Sequence, residues 1–161
     1  MARAPEPPND ATFTVRDAVP EDHAALQVIF REASLANPDD REMLQARPDL
    51  LEFSDEVIGQ GHCRVAIDVE GRVVGFSSYL LQAEHVELVD LFVDPSMWRH
   101  GVGRALIDDV VTVTRDGPSA RIEVTANTNA LAFYEGTGFV LDHPADTELV
   151  PGLRMHLDVE H

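Results

Sequence analysis

Residues 91–106 constrain this chain more than any other stretch. Leu91-Phe92-Val93 is an apolar run of strand character, Asp94-Pro95 ends it, and Gly101-Val102-Gly103 then opens a segment in which Ala105, Leu106, Val110 and Val113 recur at helical spacing. A strand that turns into a helix leaves the first backbone N–H groups of that helix unpaired, at the positive end of its dipole. Glycine lets the backbone approach an anion with no Cβ in the way. Such a turn is a cradle for a pyrophosphate. Arg99, His100 and Arg104 surround it with positive charge, in a chain whose formal net charge is −17. The plain alternative is a tight connection that needs glycine only for packing. A dinucleotide site would want Gly-x-Gly-x-x-Gly after the first strand, with an acid about 20 residues further on. Position 106 is leucine and the turn lies late in the chain, which argues against a nicotinamide-dependent oxidoreductase.

The flanking pattern is that of an α/β chain. Residues 12–16 read as a strand. Pro20-Glu21-Asp22 opens a helix with Ala25, Leu26, Ile29 and Phe30 on one face, which stops before Asn37-Pro38. A second helix begins near Asp39-Asp40, carries Met43 and Leu44, and is interrupted by Pro48. Residues 49–60, with Leu50, Leu51, Val57 and Ile58, are expected to be helical again. Strands follow at 62–69, 72–82 and 85–93, the first two joined at Glu70-Gly71. The helix from Gly103 ends near Thr114, before Asp116-Gly117-Pro118. A strand at 120–125, a helix from Asn127 to near Gly136, and strands at 138–141 and 153–159 complete the order β-α-α-β-β-β-α-β-α-β-β. That order predicts a mixed α/β sheet with helices on both faces. Residues 1–11, rich in proline and polar groups, read as a flexible tail. Residues 12–161 read as a single domain, for which 161 residues suffice.

Composition narrows the partners. The chain has no lysine, and all 12 basic residues are arginine. Repulsion from phosphate over such an acidic surface excludes nucleic acid as a partner. No apolar run reaches the ~18 residues of a membrane span, and the first residues lack a secretory h-region. The expectation is a cytoplasmic protein with no membrane partner. The single Cys63 fits a reducing compartment and reads as buried packing. His62, His85, His143 and His156 show no metal-ligand spacing and read as surface or edge residues, so no metal is expected. The acidity suits a cationic partner such as an amine, and equally suits solubility alone.

Residues 121–139 form a second constellation. Asn127 is a natural helix N-cap, Gly136 or Gly138 can close the helix in a left-handed cap, and Tyr134 shares a face with Ala130 and Leu131. Taken alone, Tyr134 reads as a core aromatic whose hydroxyl finds a partner. Together the two constellations resemble the GNAT superfamily of acyl-CoA-dependent N-acetyltransferases. Its signature is an apolar strand, then Arg/Gln-x-x-Gly-x-Gly/Ala opening a helix, then Asn-x-x-Ala-x-x-(Phe/Leu)-Tyr-x-x-x-Gly-Phe. Asn127, Ala130, Phe133, Tyr134, Gly138 and Phe139 match the second part; Leu91-Phe92-Val93, Gly101 and Gly103 match the first. Val15-Arg16 and Asp22 also look like the family's N-terminal pattern. Trp98 stands where the family has Arg or Gln, and its role is open.

The resemblance implies a GNAT-like fold with a splayed six- or seven-stranded mixed sheet, and acetyl-CoA as co-substrate. The cofactor would lie where the strand 85–93 diverges from the strand 120–125. The backbones of Leu91 and Val93, flanking Phe92, would pair with the pantetheine arm, and the N–H of Val93 or its neighbour would polarise the thioester carbonyl. Residues Trp98, Arg99, His100, Gly101, Val102, Gly103 and Arg104 would hold the pyrophosphate, and Asn127 would hydrogen-bond the pantetheine. Tyr134 matches the family's general acid. An amine with a pKa near ~10 must first lose a proton, so a base is expected. Glu87 and Glu123 match positions where family members carry one, and Asp90 is a third candidate, or a water could serve. Each acid is equally readable as a solvated strand residue. Alternation places Glu87 with Val89 and Leu91, and Asp90 on the opposite face, an assignment that a bulge in the strand would partly reverse. The implied activity is acetyl transfer to a primary amine by direct attack; the alternative is a non-catalytic acyl-CoA-binding module. Residues 20–60 and 141–153 are expected to shape the acceptor site, with Asp39, Asp40, Glu42, Asp55 and Glu56 suited to a cation. The protein is expected to be a monomer or a homodimer.

Overall fold

The computed structural model describes residues 13–54, 56–146 and 151–160. The expected tail over 1–11, Asp55, and residues 147–150 of the acceptor-shaping stretch lie outside the described residues, as do the side chains of Asp39 and Val57.

Among the described residues seven strands follow the predicted order, and there are five α-helices where that order has four. The strands are β1 (Thr14–Asp17), β2 (Cys63–Ile67), β3 (Val73–Leu81), β4 (Val86–Val93), β5 (Arg121–Asn127), β6 (Val140–Asp146) and β7 (Pro151–Asp158). The helices are α1 (His23–Leu35), α2 (Pro38–Ala46), α3 (Glu56–Gly59), α4 (Val102–Asp116) and α5 (Leu131–Gly136). The strand order is β1-β2-β3-β4-β5-β7-β6, with β4 and β5 parallel and β7 antiparallel to both β5 and β6. The parallel ladder joins Val86, Glu87 and Leu88 to Ile122, Glu123 and Val124. No described helix is long and apolar enough to cross a membrane.

The chain divides into two compact units. Of the described residues, one unit holds those up to Ser77 together with Leu91–Leu106, and the other holds Ser78–Asp90 and those from Ile107 onward. In the first unit, neighbouring residues of β2 serve opposite faces of the sheet, as strand geometry requires. Val65 joins Leu26 and Ile29 of α1, Ile58 of α3, Phe53, Cys63 and Phe76 in one core cluster. Ala66 joins Phe13, Val74, and Val102 and Leu106 of α4 in another. In the second unit β5 alternates cleanly: Ile122, Val124 and Ala126 are buried, while Arg121, Glu123, Thr125 and Asn127 face the other way.

The expected helix over 49–60 is replaced by a 3-10 turn at Pro48–Leu51 and the single turn of α3. A side chain explains the difference. Gln27 of α1 donates to the carbonyl of Leu51 and accepts from the N–H of Phe53 at 2.7 Å. One amide thereby satisfies two backbone groups of an irregular segment, and tertiary contact overrides helical periodicity.

Asp22 is buried and holds the start of α1. It receives two bonds from Arg16, at 2.8 and 3.1 Å, and a third from the Val19 N–H at 2.8 Å. The Arg16 bond, opposed by burial and aided by the Val19 N–H, holds its carboxyl below the usual range. Stability from Asp22 is therefore complete above the unfolded carboxylate pKa of ~3.9 and is lost as pH falls through the lower folded value. Asp22→Ala is expected to cost about 1–3 kcal/mol in urea unfolding at neutral pH, because Arg16 and the Val19 N–H lose their acceptor. The difference from wild type should shrink as acid unfolding is approached.

Candidate active site

The glycine turn is built as the sequence predicts. After β4, Asp94 accepts from the N–H and the hydroxyl of Ser96, both at 2.9 Å, closing a tight turn over Pro95–Met97. Arg99 then adopts φ +67° and Gly101 φ +89°. Left-handed backbone at a non-glycine residue is uncommon and persists only where the surroundings hold it. The helix α4 follows, with Ala105 N–H bonded back to the Gly101 carbonyl at 3.0 Å and no acid in its first turn. Arg99 and His100 are exposed on this loop, as is Arg104 on the first turn of α4. The first N–H groups of α4 thus point out of a basic, acid-free turn, which is what an anion needs.

The strand edge leading into that turn can be read from two contacts. The N–H of Asp94 bonds to the Val74 carbonyl of β3 at 2.9 Å. A trans peptide directs its C=O opposite to its N–H, so the carbonyl of Val93 points away from β3. The N–H and C=O of one strand residue share a side, so the backbones of Leu91 and Val93 present themselves on the edge turned from β3. The carbonyl of Phe92 lies on the other side, 3.1 Å from a Cβ built on Gly75 of β3. The Val93 carbonyl accepts from the indole N–H of Trp98 at 2.9 Å.

Gly75 lies inside β3, and a glycine inside a strand is its only sequence signal. A Cβ there would meet Val102 Cγ1 at 2.9 Å and Leu106 Cδ1 at 3.3 Å. Its absence lets the first turn of α4 lie directly on β3. Gly75→Ala is expected to destabilise the protein by about 1–3 kcal/mol through overpacking. Urea unfolding checks this, and adding Val102→Ala should recover part of the loss.

In the second unit, Tyr134 lies on α5, reached through a 3-10 turn over Thr128–Ala130 rather than the continuous helix expected from Asn127. Asn127 precedes that turn and pairs through its backbone with Gly152 of β7 as the end of β5; its side chain makes no cap hydrogen bond to the turn and is exposed. Gly138, at φ +106°, closes the helix. The Tyr134 ring is buried edge-on between Phe133 and Phe139, with centroids at 5.1 and 5.3 Å. Burial raises its phenol pKa well above the usual tyrosine value, and the charge of Asp90 raises it further. Asp90 accepts from the Ser78 hydroxyl. Burial pushes the Asp90 carboxyl up, and the Ser78 bond opposes this.

Glu87 and Glu123 are brought together and Asp90 is kept apart from them, as strand alternation requires. The first two are direct register partners across β4 and β5. Arg154 of β7 bridges them: it grips both oxygens of Glu87 at 2.7 Å, donates to Glu123 at 2.9 Å and to Thr125 Oγ1 at 3.0 Å. His85 Nε2 lies 2.9 Å from Glu87 and its Nδ1 3.6 Å from Glu123. Burial would raise the Glu87 pKa, yet the Arg154 and His85 bonds together hold it below the usual range. The two acids in turn raise Arg154 further above the ordinary guanidinium value. The network runs on through Arg121 and Asp142 to His156, whose Nδ1 is 2.7 Å from Asp142. His85 and His156, expected as surface or edge residues, thus hydrogen-bond to acids of this network. Arg154 gave no sequence signal, since its partners lie 67 and 31 residues away.

Comparison with known proteins adds the context for this geometry. The model of the acetyltransferase (GNAT) family matches residues 26–139, well over half of the chain. Glucosamine 6-phosphate N-acetyltransferase of Trypanosoma brucei brucei is 33% identical over 78 residues, 43% of this chain and 52% of that protein. Peptidyl-lysine N-acetyltransferase YjaB of Salmonella typhimurium is 31% identical over 94 residues, 58% of this chain and 60% of that one. The chain thus spans little more than half the length of these relatives. Among solved structures, a GCN5-related N-acetyltransferase from Rhodopseudomonas palustris superposes with TM-score 0.75 at 24% identity, over 92% of this chain and 96% of that one. The PaiA N-acetyltransferase of Thermoplasma acidophilum, in complex with coenzyme A, gives TM-score 0.70 at 15% identity, over 91% and 99%. These two likenesses show a shared fold.

Proposed function

The chain belongs to the GNAT acetyltransferase family, and from that premise we propose that it transfers the acetyl group of acetyl-CoA to a primary amine by direct attack in a ternary complex. The observation that carries this reading is the continuity of strand edge and anion turn. The outward-facing backbones of Leu91 and Val93 run within ten residues into the Arg99–Gly101 turn and the start of α4. A ligand with an amide-bearing arm and a pyrophosphate at its end fits that sequence of groups: hydrogen bonds along an edge, then N–H groups at a helix terminus. Acetyl-CoA supplies an activated acyl thioester when bound there.

The chain's own groups would then divide the work. The Val93 N–H is the proposed donor to the acyl oxygen. Asn127, with an exposed side chain, is the proposed partner of the pantetheine amides. Glu87 and Glu123 would attract the acceptor's ammonium and take its proton through water. The nitrogen then bonds to the acyl carbon as the carbon–sulfur bond breaks. Tyr134, kept protonated by its surroundings, would donate to the departing sulfur. The two curated relatives act on unlike amines, an amino sugar phosphate and a peptidyl lysine by name, so the acceptor is left as a primary amine that the acidic chain would favour as a cation.

One observation favours the second reading, a non-catalytic acyl-CoA-binding module: both oxygens of Glu87 are already engaged by Arg154 and His85. Release of free thiol from acetyl-CoA across a panel of small amines, peptide N-termini and lysine peptides separates the two. Turnover on any acceptor supports the enzyme; CoA binding with no turnover on the panel favours the module.

A further inference from the structure

We infer that Trp98 is a positioning residue that locks the anion turn to the open edge of β4, an assignment that rests on the CoA-binding reading above. The indole N–H donates to the Val93 carbonyl at 2.9 Å. That carbonyl is the last acceptor on the strand edge turned from β3, since the adjoining Asp94 N–H is spent on Val74. Trp98 therefore closes a six-residue ring from the end of the strand to the residue before the left-handed Arg99. The backbone of Trp98 is extended, with φ −62° and ψ 144°. Nothing in that conformation alone would hold Arg99 at φ +67°, a geometry that needs an external hold. The indole bond is such a hold, with the Asp94 turn on its other side. It also occupies one lone pair of the Val93 carbonyl, beside the Val93 N–H and the Leu91 backbone with which an extended ligand could pair. The ring itself is 46% exposed, so it is held mainly by this bond and not by burial. A family position that elsewhere carries a polar Arg or Gln is thus filled here by a side chain that retains an N–H donor.

The inference separates the N–H from the ring. Trp98→Phe keeps an aromatic ring and removes the donor, while Trp98→Gln keeps an N–H donor of similar reach and removes the ring. Calorimetric titration with CoA should show the dissociation constant raised about five- to tenfold in Trp98→Phe, the effect of one lost hydrogen bond. Trp98→Gln should stay within about twofold of wild type. In turnover assays the loss in Trp98→Phe should appear in KM for acetyl-CoA, with kcat at saturation unchanged. Because Trp98 is the sole tryptophan of the chain, saturating CoA should also change the indole emission of the wild-type protein. Wild-type affinity in Trp98→Phe with a loss confined to Trp98→Gln would overturn the assignment and make the ring a stacking surface. An emission spectrum indifferent to CoA that is bound by calorimetry would overturn it too. Absence of CoA binding by the wild-type protein would sink the cofactor reading itself, and this assignment with it.

Discussion

Tyr134→Phe is expected to lower kcat by about a hundredfold while leaving CoA affinity nearly unchanged, the signature of a donor used only in the transition state. The ring is held edge-on between Phe133 and Phe139, and phenylalanine keeps both contacts. What is lost is one hydroxyl. Its pKa is raised by burial and by Asp90, so the phenol stays protonated well past pH 10. A phenol so reluctant to ionise is a better hydrogen-bond donor to a thiolate than a source of a fully transferred proton. Two measurable consequences follow. Activity should show no alkaline decline from Tyr134 near the ordinary tyrosine pKa. Leaving groups more acidic than the CoA thiol should be less sensitive to the substitution. Thiol release by Tyr134→Phe within about threefold of wild type on the same amine would exclude this role.

Arg154→Met should have the second large effect. Arg154 is about one-fifth exposed and makes three bonds to Glu87 and Glu123. Without it, two carboxylates in direct register on adjacent strands face one another, with His85 and Arg121 nearby. Stability should fall by about 1–3 kcal/mol, less than for a fully buried pair because water reaches the site. The pH dependence identifies the cause. In wild type the Glu87 pKa is lowered, so its stabilising share is complete above the unfolded glutamate pKa of ~4.3 and fades as pH falls through the folded value. In Arg154→Met the pair should hold a proton to higher pH. The deficit against wild type should therefore be greatest at neutral pH and shrink on acidification, and the acidic limb of the rate profile should move upward. A double variant, Glu87→Gln with Arg154→Met, should be less unstable than the two losses added. Equal deficits at pH 5 and pH 8 would show that Arg154 acts by packing alone.

The place of Tyr134 on a short helix was legible because its neighbours are local: Ala130, Gly138 and Phe139 lie within five residues of it and Asn127 within seven. The anion turn was legible for the same reason, since φ at Gly101 and the start of α4 are decided within a few residues. Arg154 was not, because strand register decides which side chains face each other, and register is a property of the assembled sheet. Gly75 failed to register because what it accommodates, the first turn of α4, is distant in sequence. The helix expected over 49–60 was displaced by Gln27, again from afar. Asn127 has the residue type of a helix cap and occupies that position, yet its side chain makes no cap hydrogen bond and its backbone pairs with β7. Order and type of the elements were thus carried by local pattern, while the charge network was carried by topology.

The strand order β5-β7-β6 has a consequence for biosynthesis. β7 lies between two strands that are both made before it. As the nascent chain leaves the ribosome at ~5–20 residues per second, the roughly two dozen residues between Asn127 and Pro151 take about one to five seconds to appear. Until β7 is made, β5 lacks the neighbour on its far side, and Glu87 and Glu123 lack the cation that β7 carries. Pro144 in β6, which cannot donate a ladder bond, would discourage premature pairing of β6 with the open edge of β5. The last described strand is thus the one that both closes the sheet and neutralises the two acids.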